Sequence, residues 1–233
     1  MLTQVSRFWV EQTKDIVKNH VIEFPDPNVV VGKKCKVIPI EIVPRAYITG
    51  VTGTSLWTLY QKGQRDFGDF TLPDGMKKNQ KLNYPVLTPT TKSAEHDRPL
   101  TTREILDEKI VSEEMWKKLS DTAIKLFKRG QEVALAHGLI LVDTKYEFGI
   151  DEKGELTLVD EIHTPDSSRY WQANSYKERI EKGLEPENFD KEFLRLWFKQ
   201  NCDPYKDKVL PEAPQDMITE LSRRYIKIYE QIT

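Results

Sequence analysis

Three charged side chains stand at alternate positions in the segment LVDTKYEFGI, residues 141–150. Asp143, Lys145 and Glu147 follow one another at two-residue spacing, which places them on one face of a β-strand, with apolar residues on the other face. Carboxylates on such a face are ligands for Mg²⁺, and a lysine beside them can neutralise a phosphoryl or carboxylate group. The segment is therefore a candidate site for chemistry on phosphate or carboxylate groups.

The turn DEKG, which follows this segment, predicts a β-hairpin. If the connecting loop has an even number of residues, Leu158 lies opposite Glu147. Asp160 then lies opposite Lys145 and joins the charged face. We expect Glu147 and Asp160 to hold Mg²⁺ there. The alternative is a solvated sheet face that carries only cross-strand ion pairs.

Two further clusters of charged residues occur in the sequence. The loop DEIHTPDSSRYW supplies Asp166, Ser168 and Arg169, and an arginine fork beside hydroxyl groups suits a phosphate. The alternative is a turn in which Asp and Ser satisfy only backbone groups. In PIEIVPRAYITG, Glu41 and Arg45 are charges embedded in an apolar, strand-like segment. A structural Glu–Arg pair is the alternative there.

The elements that must position these residues are helices and strands in alternation. Residues 34–50 are rich in β-branched side chains and predict one or two strands, although Pro39 and Pro44 favour an edge or an irregular strand. Residues 61–100 predict a long surface loop or flap with short strands, and loops of that length usually carry function. The remaining predicted elements are helices at 3–20, 101–109 (N-cap Thr101 or Thr102), 112–137 (N-cap Ser112, stop at Gly138), 173–182, 190–201 (N-cap Asp190) and 214–232, with a hairpin of 139–150 against 155–163. The order predicts an α+β fold with a mainly antiparallel sheet and packed helices.

Composition argues against several classes of function. The formal net charge of the 233 residues is -2, without a long basic tract, so binding to nucleic acid or to an acidic membrane is not indicated. No apolar run approaches the length that spans a bilayer. Cys35 and Cys202 lie far apart, which argues against a disulfide framework or a structural zinc site, and a cytoplasmic location is expected.

The motifs together resemble a known family. LVDTKYEFG is similar to the signature of the SAICAR synthetase family, in which two aliphatic residues precede Asp-x-Lys-x-Glu-Phe-Gly. VIPIEIVPRAYITG resembles that family's other signature, and VDEIHTPDSSRYW, NQKLNYPVLTPTTK and DKEFLRLW follow its pattern. The resemblance implies a two-lobe, ATP-binding architecture over residues 1–233. Residues 1–100 would form the remainder of the first lobe and the flap, and 101–233 the catalytic lobe.

The resemblance also implies a reaction of purine biosynthesis. ATP, L-aspartate and the carboxylated aminoimidazole ribotide (CAIR) would give SAICAR, ADP and phosphate. ATP would phosphorylate the CAIR carboxylate and the aspartate amine would displace phosphate, which requires mainly positioning and charge neutralisation. By the match, Glu147 and Asp160 would bind Mg²⁺ and the ATP phosphates, Lys145 would contact the reacting carboxylate with Asp143 beside it, and Glu41, Arg45, Asp166, Ser168 and Arg169 would bind CAIR.

Two features depart from the family pattern. The family's N-terminal stretch, with a Gly-Lys-x-Arg-Asp hairpin over the phosphates, has no match here, so a truncated first lobe is expected. A homo-oligomer or a separate chain could supply the missing part. Val51 stands where the family usually has serine, and Thr52 or Thr54 would have to replace that hydroxyl. The alternative functions are a non-catalytic module that binds nucleotide or CAIR without turnover, and a kinase-like phosphotransferase.

Overall fold

The computed structural model describes residues 1–92, 98–203 and 206–233. Residues 93–97 of the predicted flap lie outside the described residues. The helices are α1 (Leu2–Thr13), α2 (Leu56–Gln61), α3 (Thr102–Asp107), α4 (Glu113–Ala136), α5 (Ala173–Glu181), α6 (Glu192–Asn201) and α7 (Gln215–Ile232). The strands are β1 (Lys18–Asn19), β2 (Val21–Asp26), β3 (Val29–Gly32), β4 (Lys36–Ile42), β5 (Pro44–Ile48), β6 (Gln80–Leu87), β7 (Thr90–Thr91), β8 (Leu139–Asp143), β9 (Tyr146–Ile150), β10 (Leu156–Val159) and β11 (Arg169–Gln172).

Two sheets form the centre of the molecule. One has the strand order β1-β10-β9-β4-β7 and the other β11-β8-β5-β6, while β2 and β3 form a separate hairpin. β1 pairs with β10 in parallel, and the other paired strands are antiparallel. The predicted α+β fold with a mainly antiparallel sheet is confirmed.

Helices α3 and α4 begin where the sequence places their caps. Ser112 accepts a hydrogen bond from the Met115 N–H at 3.2 Å, and Thr101 forms a reciprocal capping box with Glu104. The first helix is shorter than the predicted 3–20, because residues 18–19 pair with β10 and leave the helix at Thr13. No helix within the described residues has both the length and the apolar character needed to cross a membrane.

The two prolines in the segment 34–50 lie in interior strands. β4 lies between β9 and β7, and β5 lies between β8 and β6, so the predicted edge location is wrong. The prediction of an irregular strand is confirmed, because the pairing of β4 with β9 shifts register between Val37 and Glu41. Pro39, which has no N–H to donate, lies inside this shift, and Pro44 is the first residue of its strand.

A close approach between α4 and the loop after β10 depends on Gly130. The ring of His163 is fully buried, and its Nε2 is hydrogen-bonded to the hydroxyl of Tyr146. A Cβ atom on Gly130 would lie 2.4 Å from His163 Cε1 and 2.7 Å from Leu141 Cδ2. Glycine is therefore the residue that lets the helix pack this closely on the loop that carries Asp160 and Asp166.

Gly130→Ala is expected to lower the free energy of unfolding by about 1–3 kcal/mol, because the added methyl group overpacks a buried contact. Urea unfolding measures this loss. Gly53→Ala is the matched control, since no atom lies within 4 Å of its added Cβ. Equal stabilities of the two variants would contradict the packing described here.

Candidate active site

The segment LVDTKYEFGI is divided between the two sheets. β8 ends at Asp143 in the four-stranded sheet, and β9 begins at Tyr146 in the five-stranded sheet. The prediction of one continuous strand with Asp143, Lys145 and Glu147 on a single face is therefore wrong. Instead, the chain crosses between sheets at Thr144 and Lys145, so that Asp143 and Glu147 belong to two adjacent charged clusters.

The predicted hairpin register is also off by one residue. Val159 pairs with Glu147 and Leu158 with Phe148, because the loop between β9 and β10 has five residues, 151–155. By strand alternation alone, Asp160 would face away from Lys145. Asp160 nevertheless contacts Lys145, because it follows the end of β10 and has a positive φ of 65°, which redirects its side chain.

The first cluster surrounds the ammonium group of Lys145. Its Nζ lies 2.8 Å from Glu147 Oε1, 2.9 Å from Asp160 Oδ2 and 3.3 Å from Glu41 Oε1. Burial alone would lower the pKa of Lys145, but the hydrogen bonds to Glu147 and Asp160 raise it above its ordinary value. The group therefore stays cationic among three carboxylates.

Glu147 is the most deeply buried carboxylate of this cluster, with 4% of its surface exposed. Its Oε2 accepts a hydrogen bond from Lys92, which follows the edge strand β7. Burial alone would raise the pKa of Glu147, but the hydrogen bonds from Lys145 and Lys92 lower it to about 2. Sequence reasoning did not identify Lys92, although the motif TPTTK that contains it was one of the matching segments.

The second cluster consists of two arginines that share one carboxylate. Asp143 Oδ2 lies 2.5 Å from Arg169 Nη1 and 3.2 Å from Arg45 Nη1. Arg169 also contacts Glu192 at 3.4 Å, and Arg45 donates to Thr88 Oγ1 at 2.7 Å. Glu41 pairs with Lys145 and Arg45 with Asp143, so the predicted alternative of a Glu41–Arg45 pair does not describe their contacts.

Burial affects the two arginines differently. Burial lowers the pKa of Arg45, and the neighbouring Arg169 adds to this effect. Burial also disfavours the charged form of Arg169, but Asp143 and Glu192 raise its pKa above the ordinary value. The Nε–H of Arg169 is buried and has no hydrogen-bond partner within the described residues.

The loop after β10 completes the site through side-chain contacts. Ser168 is buried and donates from Oγ to Thr144 Oγ1 at 2.8 Å. Asp166 Oδ2 lies 3.3 Å from Lys191 Nζ. These contacts join the loop to the crossing point and to the start of α6, so the alternative of a turn that satisfies only its own backbone does not describe it.

One cleft of about 230 Å³ connects the two clusters. Of the predicted site residues it is lined by Glu41, Arg45, Asp143, Lys145, Asp166, Ser168 and Arg169. Glu147 and Asp160 are not among the lining residues, but both lie within hydrogen-bonding distance of Lys145, which lines the cleft. Of the two threonines predicted to replace a missing serine hydroxyl, Thr52 lines this cleft and Thr54 lines another cavity.

The cleft also has lining residues that sequence reasoning missed, namely Asp190, Lys191 and Arg195. A neighbouring cavity of about 740 Å³ shares Thr52 and Arg195 with the cleft and extends along α6. Lys191 and Arg195 are four residues apart near the start of α6, which places two cations on one helix face. That spacing in DKEFLRLW is the signal that could have identified them.

The side chain of Asp190 forms hydrogen bonds to both β11 and the start of α6. Its carboxylate accepts hydrogen bonds from the N–H groups of Tyr170 at 3.1 Å and Glu192 at 2.8 Å. The N-cap of α6 is Lys191, so the predicted N-cap Asp190 is wrong by one residue. Burial raises the pKa of Asp190 from 3.8 to about 7, although Arg169 opposes this change. Its folded-state pKa is thus higher than in the unfolded chain. Its contribution to stability is fully present below about pH 4 and is lost as the pH rises to about 7.

We therefore expect the stability difference between the wild type and Asp190→Asn to decrease as the pH rises from about 4 to about 7. Urea unfolding at several pH values measures it, with Asp107→Asn as an exposed control. A difference that stays constant or grows with pH would contradict the raised pKa of the buried Asp190 side chain.

Comparisons with known proteins agree with this geometry. Residues 1–212 match the family model for SAICAR synthetase. The chain belongs to the SAICAR synthetase family. It is 60% identical over 233 residues to the phosphoribosylaminoimidazole-succinocarboxamide synthase of Legionella pneumophila (strain Paris), an alignment that covers 100% of this chain and 75% of that protein. The predicted family and the predicted enzyme class, a ligase of purine biosynthesis, are confirmed.

Solved structures of the family share the fold. The SAICAR synthase from Saccharomyces cerevisiae complexed with SAICAR is similar with a TM-score of 0.81 and 32% identity, covering 100% of this chain and 80% of that chain. A type-2 SAICAR synthetase in complex with ADP is similar in fold, with a TM-score of 0.72 and 24% identity, covering 99% of this chain and 78% of that chain.

Proposed function

We propose that this chain catalyses the ATP-dependent joining of L-aspartate to the carboxylate of CAIR, giving SAICAR, ADP and phosphate. The observation that carries the proposal is the single cleft between the arginine pair on Asp143 and the lysine held among three carboxylates. The arginine pair suits an anionic substrate, and the lysine cluster suits phosphoryl transfer. The SAICAR and ADP present in related structures support the same ligands for this cleft.

The arginine end of the cleft would bind CAIR. Arg45 and Arg169 are oriented by Asp143 and would hold the 5′-phosphate, with the free Nε–H of Arg169 as one donor. Asp166 would lie on the ribose side and Glu41 near the imidazole substituents. Ser168 would help to bind the substrate, and Thr52 supplies a hydroxyl near Val51, where the family usually has serine. The adjoining 740 Å³ cavity gives room for the remainder of the substrates.

The lysine end of the cleft fits Mg²⁺ and ATP phosphates. Glu147 and Asp160 both contact the Lys145 ammonium, so the two carboxylates meet at one point of the site, where they would hold the ion. The described residues contain no group of three or more His, Cys, Asp or Glu side chains arranged for a metal. Two carboxylates are sufficient for Mg²⁺, because phosphate oxygens and water complete its octahedron. When bound, the ion would neutralise the phosphate charge.

Lys145 would contact the carboxylate that reacts. In the first step, an oxygen of the CAIR carboxylate takes the γ-phosphoryl group, and ADP leaves. In the second, the aspartate amine attacks the acyl carbon, the C–O bond to phosphate breaks, and the amine loses a proton. The fixed cation of Lys145 stabilises the negative charge on the carboxylate oxygens, and Asp143 orients the groups beside it.

The wider organisation follows the same proposal. Residues 1–100 would act as part of the first lobe with its flap, and 101–233 as the catalytic lobe, in the cytoplasm. Assembly as a homo-oligomer or with a separate chain stays a prediction from the sequence.

A coupled assay of ADP release tests the function. We expect sustained, catalytic release of ADP to require both CAIR and L-aspartate, and SAICAR to form in equal amount by mass spectrometry. Purified, folded chain that releases no ADP, or that releases many equivalents of ADP per site without CAIR, would contradict the proposal.

A further inference from the structure

The proposed function assigns no role to Lys92. This residue lies beside the lysine cluster, which consists of Lys145 with Glu41, Glu147 and Asp160. It follows β7, which pairs with β4 so that Thr90 lies opposite Glu41, and Glu41 in turn lies opposite Glu147 on β9. The backbone N–H of Lys92 donates to the carbonyl of Pro39 at 3.3 Å. The backbone is therefore fixed on the sheet, and the side chain reaches past β4 to Glu147.

The two oxygens of Glu147 are each taken by an ammonium group. Oε1 accepts from Lys145 and Oε2 from Lys92. A cation that binds either oxygen of Glu147 comes close to one of these ammonium groups, and the repulsion between like charges favours displacement of that ammonium. Three carboxylates and two lysines give the cluster a formal charge of −1, and without Lys92 this charge would be −2.

The two lysines differ in how firmly they are held. Lys145 contacts three carboxylates, and 31% of its side chain is exposed. Among the described residues Lys92 contacts one carboxylate, and 45% of its side chain is exposed. Displacement of Lys92 by a metal therefore breaks fewer ion pairs than displacement of Lys145. Its long flexible stem lets the ammonium move several ångströms from a fixed backbone.

We propose that Lys92 is a phosphate-binding residue of the nucleotide site, which holds Glu147 Oε2 until Mg²⁺ enters and then passes its ammonium to the triphosphate. This inference rests on the proposed function, because it takes Glu147 as a metal ligand. The exchange keeps both the carboxylate and the ammonium paired: the cation replaces Lys92 on Glu147, and the phosphate oxygens replace Glu147 on Lys92.

Lys92→Met tests the inference through two binding measurements of opposite sign. Removal of the competing ammonium should tighten the binding of Mn²⁺ alone about tenfold. Electron paramagnetic resonance measures this binding. Loss of the phosphate contact should weaken the binding of Mg·ATP about tenfold. Calorimetry in the absence of CAIR and aspartate measures this affinity. Lys92→Arg should restore Mg·ATP binding in large part. Lys36→Met, an exposed lysine on β4, should change neither.

A merely structural role for Lys92 would weaken both ligands together. Weaker or unchanged Mn²⁺ binding in Lys92→Met would therefore overturn the exchange, and unchanged Mg·ATP binding would overturn the phosphate contact. Failure of the wild type to bind Mg·ATP counts against the proposed function instead. In that case the Mn²⁺ titration still decides whether Lys92 competes for Glu147.

Discussion

Lys145→Ala is expected to abolish ligation, with a loss in kcat of about a thousandfold. The reason is that Lys145 is the cation at the junction of the cleft and the carboxylate cluster, within 3.3 Å of Glu41, Glu147 and Asp160. Removing it leaves the reacting carboxylate facing three negative groups with no fixed charge to stabilise the transition state. The loss of one preorganised donor of this kind typically costs about 10²- to 10³-fold in kcat.

Two controls separate this catalytic role from loss of folding. Thermal unfolding of Lys145→Ala shows whether the chain is folded, and Lys33→Ala removes an exposed lysine. Lys145→Arg keeps the charge but changes the shape of the donor, so it should retain part of the activity of the wild type. Turnover of folded Lys145→Ala at a rate near that of the wild type would refute the role given to Lys145.

Arg169→Met is expected to raise KM for CAIR about a hundredfold, with a smaller change in KM for aspartate. Arg169 has 12% of its side chain exposed, shares Asp143 with Arg45, and has a buried Nε–H without a hydrogen-bond partner among the described residues. A charge-assisted, forked contact to phosphate contributes more than a single neutral hydrogen bond, which is the basis of this magnitude. Initial-rate kinetics with each substrate varied separately measures the effect.

The control for this variant is Arg103→Met, which removes an exposed arginine paired with Asp107. Arg169→Lys should give an intermediate KM, because lysine keeps the charge but lacks the planar fork. A rise in KM that is equal for CAIR and aspartate would contradict the assignment of Arg169 to CAIR. It would indicate instead that the variant disturbs the whole cleft.

Local signals in the sequence predicted six of the seven helices in the described residues and two of their caps, but missed α2, made α1 too long and placed the N-cap of α6 one residue early. Ser112 and Thr101 cap the helices that they precede, because an N-cap depends on residues within one turn. The family match confirms the α+β fold and the enzyme class. The predicted site residues also converge, since seven of them line one cleft and the other two contact Lys145.

The details that failed depend on contacts between distant segments. The alternation of charges in DTKYE is typical of one continuous strand. It therefore does not reveal that the chain passes from one sheet to the other at Thr144. The predicted hairpin register was wrong because the turn residues DEKG are compatible with a four-residue loop as well as with the five-residue loop, 151–155, that the structure has. Asp160 reaches Lys145 through a left-handed backbone conformation that alternation does not predict. Lys92 and Arg195 are cations in polar segments, and only the sheet order and the position of α6 bring them to the cleft.

The central claim is that ATP activates the CAIR carboxylate beside Lys145 before aspartate attacks. CAIR labelled with ¹⁸O in that carboxylate tests it in one turnover experiment, with the released phosphate analysed by mass spectrometry. If the carboxylate oxygen takes the γ-phosphoryl group and then leaves with it, each phosphate carries one ¹⁸O atom from CAIR. Unlabelled phosphate, released together with SAICAR, would contradict the account.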